Sequence, residues 1–228
     1  MRKAVFICLW LLLVGGACGV GWVFWAINEG RIGYMPDMEQ LSNPVDKFAS
    51  QILTSDGKLM GTYSYGSTNR IFTEYDSIAP AMIQALIATE DERFHDHAGI
   101  DFRALFRAVV KRGLLGQKSA GGGSTITQQL IKNNVLTTWT SETSLIEKIQ
   151  RKIQEQYLAL ALEKHVQNKD WILENYLNSI NLGANTLGVQ AASARYFGKD
   201  VSELTLSESA VIAAITQNPT RYNPITHP

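Results

Sequence analysis

No charged residue occurs between Lys3 and Glu29. A helix over residues 4–28 would span about 37 Å, against about 30 Å for the hydrocarbon core of a bilayer. Such a run constrains the chain more than any other feature. It predicts one N-terminal membrane-spanning helix with the remainder as an ectodomain. A cleaved signal peptide is the rival reading, with Gly15-Gly16-Ala17-Cys18-Gly19 as its small-residue site. But the apolar run resumes at Val20 and continues through Trp22, Val23, Phe24, Trp25 and Ile27, beyond the point where a cleaved signal would end. A lipoprotein reading is weaker, because Gly15 stands where a leucine is expected before Cys18. Trp22 and Trp25 fit an outer aromatic belt, and Arg2 and Lys3 favour an N-terminus inside. Residues 29–228 are then expected on the extracytoplasmic side of the cytoplasmic membrane.

The ectodomain is globular in composition. Charged residues make up 18% of the chain and hydrophobic residues 45%, which argues against wholesale disorder. Lys+Arg and Asp+Glu are both 21, so a general nucleic-acid binder is not expected. The two cysteines, Cys8 and Cys18, both lie in the apolar segment and supply neither a disulfide framework nor a zinc site.

Beyond the anchor (residues 1–29), residues 30–76 read as a connector. It contains a β-hairpin signal, Ser55-Asp56-Gly57, flanked by Gln51–Thr54 and Lys58–Tyr63. From Ser77 onward the pattern is helical. Ile83, Leu86 and Ile87 make one apolar stripe; Phe102, Leu105, Phe106, Val109 and Val110 a second; Ile146, Ile149, Ile153, Tyr157 and Leu160 a third; Ile172, Leu173, Tyr176, Leu177 and Ile180 a fourth. Thr205 and Glu208 form a capping-box spacing before Ala210–Ile215. The fold class is mainly α with one small β element.

Three features bear on chemistry. Glu90 continues the stripe of Ile83, Leu86 and Ile87, so a carboxylate is expected on a buried face. Burial disfavours its charged form, which suits a general acid or base; a helix-end carboxylate emerging into solvent would show the same spacing. Gly121-Gly122-Gly123-Ser124 runs into a helix start at which Thr125 and Gln128 fit a capping box. Backbone N–H groups at such a junction can receive phosphate, although a flexible loop has the same composition. Lys148, Arg151, Lys152 and Glu155 form a polar stripe opposite the apolar one, and Glu155 among cations should stay ionised. An ordinary solvated face would look alike. Two carboxylates in contrasting environments point to divided roles. From Arg103 to Lys132 there are six basic residues and no acidic one, interleaved with Phe102, Phe106, Leu114 and Leu115. That surface suits an anionic membrane or a phosphorylated lipid, or simply solvent. Ser55-Asp56-Gly57-Lys58 and His95-Asp96-His97 carry nothing: the first falls on a turn, and the second lacks a further histidine at helical zinc spacing.

Taken in order, these segments resemble the peptidoglycan glycosyltransferase domain, family 51 of the glycosyltransferases, found in monofunctional transglycosylases and class A penicillin-binding proteins. The resemblance rests on Glu90-Asp91-Glu92-Arg93-Phe94-His95-Asp96-His97-Ala98-Gly99-Ile100-Asp101, Gly122-Gly123-Ser124-Thr125-Ile126-Thr127-Gln128-Gln129-Leu130 with Lys132-Asn133, Arg151-Lys152-Ile153-Gln154-Glu155 and Ile172-Leu173-Glu174-Asn175-Tyr176-Leu177-Asn178. Gly188-Val189-Gln190-Ala191-Ala192, Tyr196-Phe197-Gly198-Lys199 and Pro219-Thr220-Arg221-Tyr222-Asn223-Pro224 follow. It covers residues 77–228.

The resemblance implies a lysozyme-like helical head and a small membrane-apposed jaw, approximately residues 103–120. It implies lipid II as substrate, the growing glycan strand as product, and membrane lipid and cell-wall synthesis proteins as partners. Glu90 would be the general base toward the acceptor's GlcNAc 4-hydroxyl. Glu155 would be the second catalytic glutamate, near the donor pyrophosphate directly or through a divalent cation, Mg2+ or Mn2+. Lys132, Arg151 and Lys152 would stabilise the leaving charge. Asp91, Phe94, His97, Ser124, Thr125, Gln128, Gln129 and Asn178 would bind substrate. No transpeptidase motif set accompanies these, so the chain reads either as a monofunctional enzyme or as the N-terminal piece of a bifunctional one. A lysozyme-like lytic enzyme and a non-catalytic lipid II-binding scaffold are the competing readings.

Overall fold

The computed structural model describes residues 70–116, 122–136 and 140–227 without a break, residues 29–33, 35–43, 50–56 and 59–63 before them, and scattered helical positions between Phe6 and Ile27. About half of the expected anchor lies outside the described residues, as do Gly57 and Lys58 of the turn and residues 117–121 of the basic stretch. Among the described residues no helix is long and apolar enough to cross a membrane.

A short helix α1 (Met38–Ser42) starts at Asp37, whose side chain accepts the Gln40 N–H at 2.9 Å. Strands β1 (Ser50–Leu53) and β2 (Leu59–Tyr63) pair antiparallel, Ser50 opposite Tyr63, with a bulge after Ile52. Among the described residues the regular elements beyond are helices. Pro80 opens α2 (Pro80–Glu90), where its fixed φ suits the first turn and its missing N–H is no loss. Asp101 caps α3 (Phe102–Arg107) by accepting the Ala104 N–H at 3.0 Å. The chain runs on from α3 as a wider π-helical segment, Ala108–Leu114. Thr125 caps α4 (Ile126–Asn134), accepting the Gln128 N–H at 3.2 Å. A full capping box, Ser144 with Glu147, starts the long α5 (Leu145–Val166), and Asn168 caps α6 (Lys169–Ser179). Helix α7 (Val189–Phe197) follows Gly188, and α8 (Leu206–Gln217) starts at the expected Thr205–Glu208 box. Lys199 and the Thr205 N–H hold the Glu208 carboxyl down at about 2.

Helix α2 lies along α8, and α4 packs against both α5 and α6. Leu86, Phe94, Leu130, Leu158, Leu162, Tyr176, Leu177 and Ile212 meet in one core, each large side chain contributing about 1.5–3 kcal/mol by leaving water. The molecule is mainly helical, as expected, and β1–β2 is the only sheet among the described residues.

Two expected stripes face the other way. On α5 the buried side carries Gln154, Glu155, Leu158, Ala159, Leu162 and Glu163, while Ile146 is 69% and Ile149 51% exposed. The ion pairs of Glu155 and Glu163 make it possible to bury polar groups on that side. On α3 Ala104 turns inward, and Phe102, Phe106 and, beyond it, Val109 are exposed. The Thr125–Gln128 box is also only half formed, because the Gln128 amide turns instead to the Gly99 carbonyl at 3.2 Å.

Candidate active site

Glu90 is the last residue of α2 and is partly buried. It stands at the negative end of the helix dipole, where a carboxylate needs compensating donors. Two are present. Gln129 Nε2, from α4, donates to Glu90 Oε2 at 2.7 Å, and Thr216 Oγ1, from the last turn of α8, contacts Glu90 Oε1. The Gln129 amide is itself oriented: Tyr176 Oη, from α6, donates to Gln129 Oε1 at 2.9 Å. Burial, aided by the charges of Glu90 and Asp91, pushes the Tyr176 phenol well above its ordinary value, so it remains a donor.

The neighbouring residues of the first motif form a buried brace. Asp91 Oδ2 accepts the Ile126 N–H at 3.0 Å, joining the end of α2 to the start of α4. His97 Nε2 lies 3.0 and 3.1 Å from the two Asp91 oxygens. The Gly99 N–H donates to His97 Nδ1 at 3.2 Å, which leaves the ring hydrogen on Nε2, facing Asp91. Thr125 Oγ1 and Gln128 Nε2 both donate to the Gly99 carbonyl, at 2.8 and 3.2 Å. Lys169 Nζ donates to the His97 carbonyl at 2.7 Å, pairs with Glu163 at 2.5 Å and lies 4.3 Å over the Phe94 ring. Gly99 itself, at φ +90°, lies so close to α5 that a Cβ would sit 2.7 Å from the Ala159 carbonyl carbon and oxygen. This brace fixes where Glu90 sits relative to α4 and α5.

Glu155 is buried on α5, 1% exposed, between two cations. Arg151 Nη1 contacts its Oε1, and Lys152 Nζ its Oε2 at 2.5 Å. Arg151 also holds Glu142 through Nε at 2.7 Å, and Lys152 reaches Ser124 Oγ at 2.9 Å. Burial tends to lower the Arg151 pKa, but hydrogen bonds and charge from Glu142 and Glu155 outweigh it and raise the value further. Lys132 is pulled down by burial and by Lys152 and Arg151, and is partly held up by the fields of Glu155 and Glu90. It therefore interacts with both carboxylates.

A cleft of about 540 Å3 opens beside Glu90. The glycine loop, residues 122–125, lines it, with Gln129, Lys132 and Thr216; Arg93 and Arg107 add positive charge. Gly123 lets the loop lie against α3, where a Cβ would come within 3.2 Å of the Leu105 Cα. The expected phosphate site on backbone N–H groups is narrower than the sequence implies. The Ile126 N–H is taken by Asp91 and the Gln128 N–H by Thr125. The cleft's positive charge comes from side chains.

The structure thus brings Glu90, Ser124, Thr125, Gln129 and Lys132 to one cleft, with Lys152 and Glu155 joined to it through Ser124. Asp91 lies at its floor. Phe94 is a fully buried core residue. His97 and Gln128 belong to the brace. Asn178 holds residue Thr73 at both backbone groups, 2.9 and 2.8 Å, away from the cleft lining. Thr216 and Tyr176 escape the sequence reading as site residues. For Thr216 a signal exists: it continues the buried positions Ser209, Ile212 and Ala213 of α8 at helical spacing.

The sequence model of the transglycosylase family matches residues 56–228. The chain is 43% identical over 191 residues, 84% of its length, to penicillin-binding protein 1A of Escherichia coli. It is 42% identical over 194 residues, 85% of its length, to the protein of that name from Aquifex aeolicus, and 37% identical over 231 residues, 98% of its length, to the one from Rickettsia felis. These matches cover 21%, 25% and 27% of the relatives, so the chain spans about a quarter of their length. With three quarters of its residues under that match, the chain belongs to the transglycosylase family, the peptidoglycan glycosyltransferases.

Proposed function

We propose that this chain polymerises lipid II into glycan strands. One observation carries the reading: a carboxylate held by uncharged donors shares a cleft with Lys132, Arg93 and Arg107, and Ser124 on the cleft lining joins it to Lys152 and the buried Glu155. Glu90 accepts the proton of the acceptor's GlcNAc 4-hydroxyl. The oxygen's electron pair then forms a bond to the anomeric carbon of the donor, the bond from that carbon to the pyrophosphate oxygen breaks, and the configuration inverts. Lys132, Lys152 and Arg151 are the groups suited to the charge that develops on the leaving undecaprenyl pyrophosphate. Glu155 holds two of those cations in place rather than touching the sugar.

A divalent cation does not fit the donor set at Glu155. Both of its oxygens face cations, and no group of three or more His, Cys, Asp or Glu stands together among the described residues. The same pairing counts against a lytic two-carboxylate mechanism, which needs the second carboxylate free as nucleophile or base.

In this reading residues 1–29 anchor the chain, residues 30–76 connect it, and residues 77–228 form the lysozyme-like catalytic head on the extracytoplasmic side. The outward Phe102, Phe106 and Val109 support a jaw, near residues 103–120, that meets the membrane holding the substrate. Other cell-wall synthesis proteins are the expected partners.

The test uses detergent-solubilised protein and labelled lipid II, with and without Mg2+, and products resolved by size. The parent chain yields a ladder of polymer. Glu90→Gln keeps lipid II binding and loses polymerisation by about a hundred- to ten-thousandfold. Polymer from Glu90→Gln at the parent's rate removes the base assignment. Binding without polymer from the folded parent replaces the enzyme by a scaffold.

A further inference from the structure

The hydroxyl of Thr216 has two oxygen neighbours and one hydrogen. It contacts Glu90 Oε1, and it lies 2.7 Å from the carbonyl of Ala213, one turn back on α8. Both neighbours are acceptors when Glu90 is ionised, and a hydroxyl donates only once. The two contacts therefore correspond to two hydrogen placements. With Glu90 ionised, Thr216 donates to Oε1. With Glu90 protonated, the acid's own O–H can donate to Thr216 Oγ1 while the threonine hydrogen turns to the Ala213 carbonyl. Only a rotation about the Cβ–Oγ1 bond separates the two.

We propose that Thr216 is a positioning residue for the base, holding the Glu90 carboxyl in one place in both of its protonation states. The inference rests on Glu90 being the base. On the other side of the carboxyl, Gln129 Nε2 keeps donating to Oε2 in both states, because Tyr176 fixes that amide. The proton taken from the acceptor hydroxyl thus arrives on a carboxyl whose heavy atoms need not move, and leaves to solvent after the glycosidic bond has formed. Thr216 touches neither sugar nor pyrophosphate in this scheme; it acts through Glu90.

Thr216→Val removes the hydroxyl at nearly constant shape. The expected result is a fall in kcat of about ten- to a hundredfold, the range for losing one hydrogen bond to a charged group, with KM little changed. Lys132 from α4, Tyr176 from α6, and Asp91, Glu92, Arg93 and Arg107 around the cleft are the charged and titratable groups near Glu90. The substitution alters none of them. Thr216→Ser keeps the hydroxyl and recovers most of the lost rate. If Thr216→Val does not fold, Thr216→Ala is compared with Thr216→Ser in the same way. An inactive Glu90→Gln beside a Thr216→Val with the parent's kcat overturns this inference and leaves the base intact. Equal losses in the serine and valine variants overturn it as well, since the hydroxyl would then be immaterial. An active Glu90→Gln removes the function on which it rests.

Discussion

Tyr176 decides which end of the Gln129 amide meets Glu90. Its hydroxyl donates to Oε1, so the amide must present Nε2, a donor, to the carboxylate. In Tyr176→Phe that constraint is gone, and Gln129 Oε1 is left without its tyrosine donor. The amide can then turn its oxygen toward Glu90, an arrangement that repels an ionised carboxylate. A buried hydrogen bond of this kind contributes about 0.5–1.5 kcal/mol, so polymerisation by Tyr176→Phe is expected to fall about two- to tenfold while lipid II binding persists; initial rates on labelled lipid II measure it. At this scale the sequence is informative about residue types and poor about roles. Glu90 is recognisable from its spacing, and Gln129 and Lys132 from the resemblance of their motif. Phe94, His97 and Gln128 sit in the same motifs, yet their side chains brace the loop from inside. A motif shows that residues matter together and leaves open which of them faces the cleft.

Helix α5 shows the corresponding limit for an element. Its helical period is plain in the sequence, and the apolar residues predict its inward face. The inward face instead carries Glu155 and Glu163, whose charges are met by Arg151, Lys152 and Lys169. Hydrophobic periodicity locates a helix through the difference between its two faces; it does not say which side is buried when the polar side pairs its charges internally. The consequence is measurable. Ile149→Ser, on the exposed side, should change unfolding free energy in detergent by no more than about 0.5 kcal/mol. Leu158→Ala, on the buried side, should cost about 2–5 kcal/mol. Denaturant titrations of the two variants give both values. The fourth stripe, on α6, faces inward as expected, with Ile172, Leu173, Tyr176 and Leu177 in the core.

For the molecule as a whole, the sequence gives a balanced charge and a helical majority but does not show how distant segments are joined. The joint is backbone on backbone. Gly99, after the first motif, packs onto Ala159 in the middle of α5, and Asp91 ties the same loop to the start of α4. No periodicity announces such a contact, since its only sequence trace is a glycine. Gly99→Ala combines a disfavoured left-handed conformation with a methyl placed 2.7 Å from the Ala159 carbonyl. It is expected to destabilise the head on the order of 3 kcal/mol, seen as a lowered denaturant midpoint. The contact also has a genetic meaning. A crowded side chain can be relieved by trimming its neighbour, but here the neighbour is a peptide carbonyl that every amino acid carries. A lesion at Gly99 should therefore have no suppressor at residue 159, and revertants should restore glycine itself.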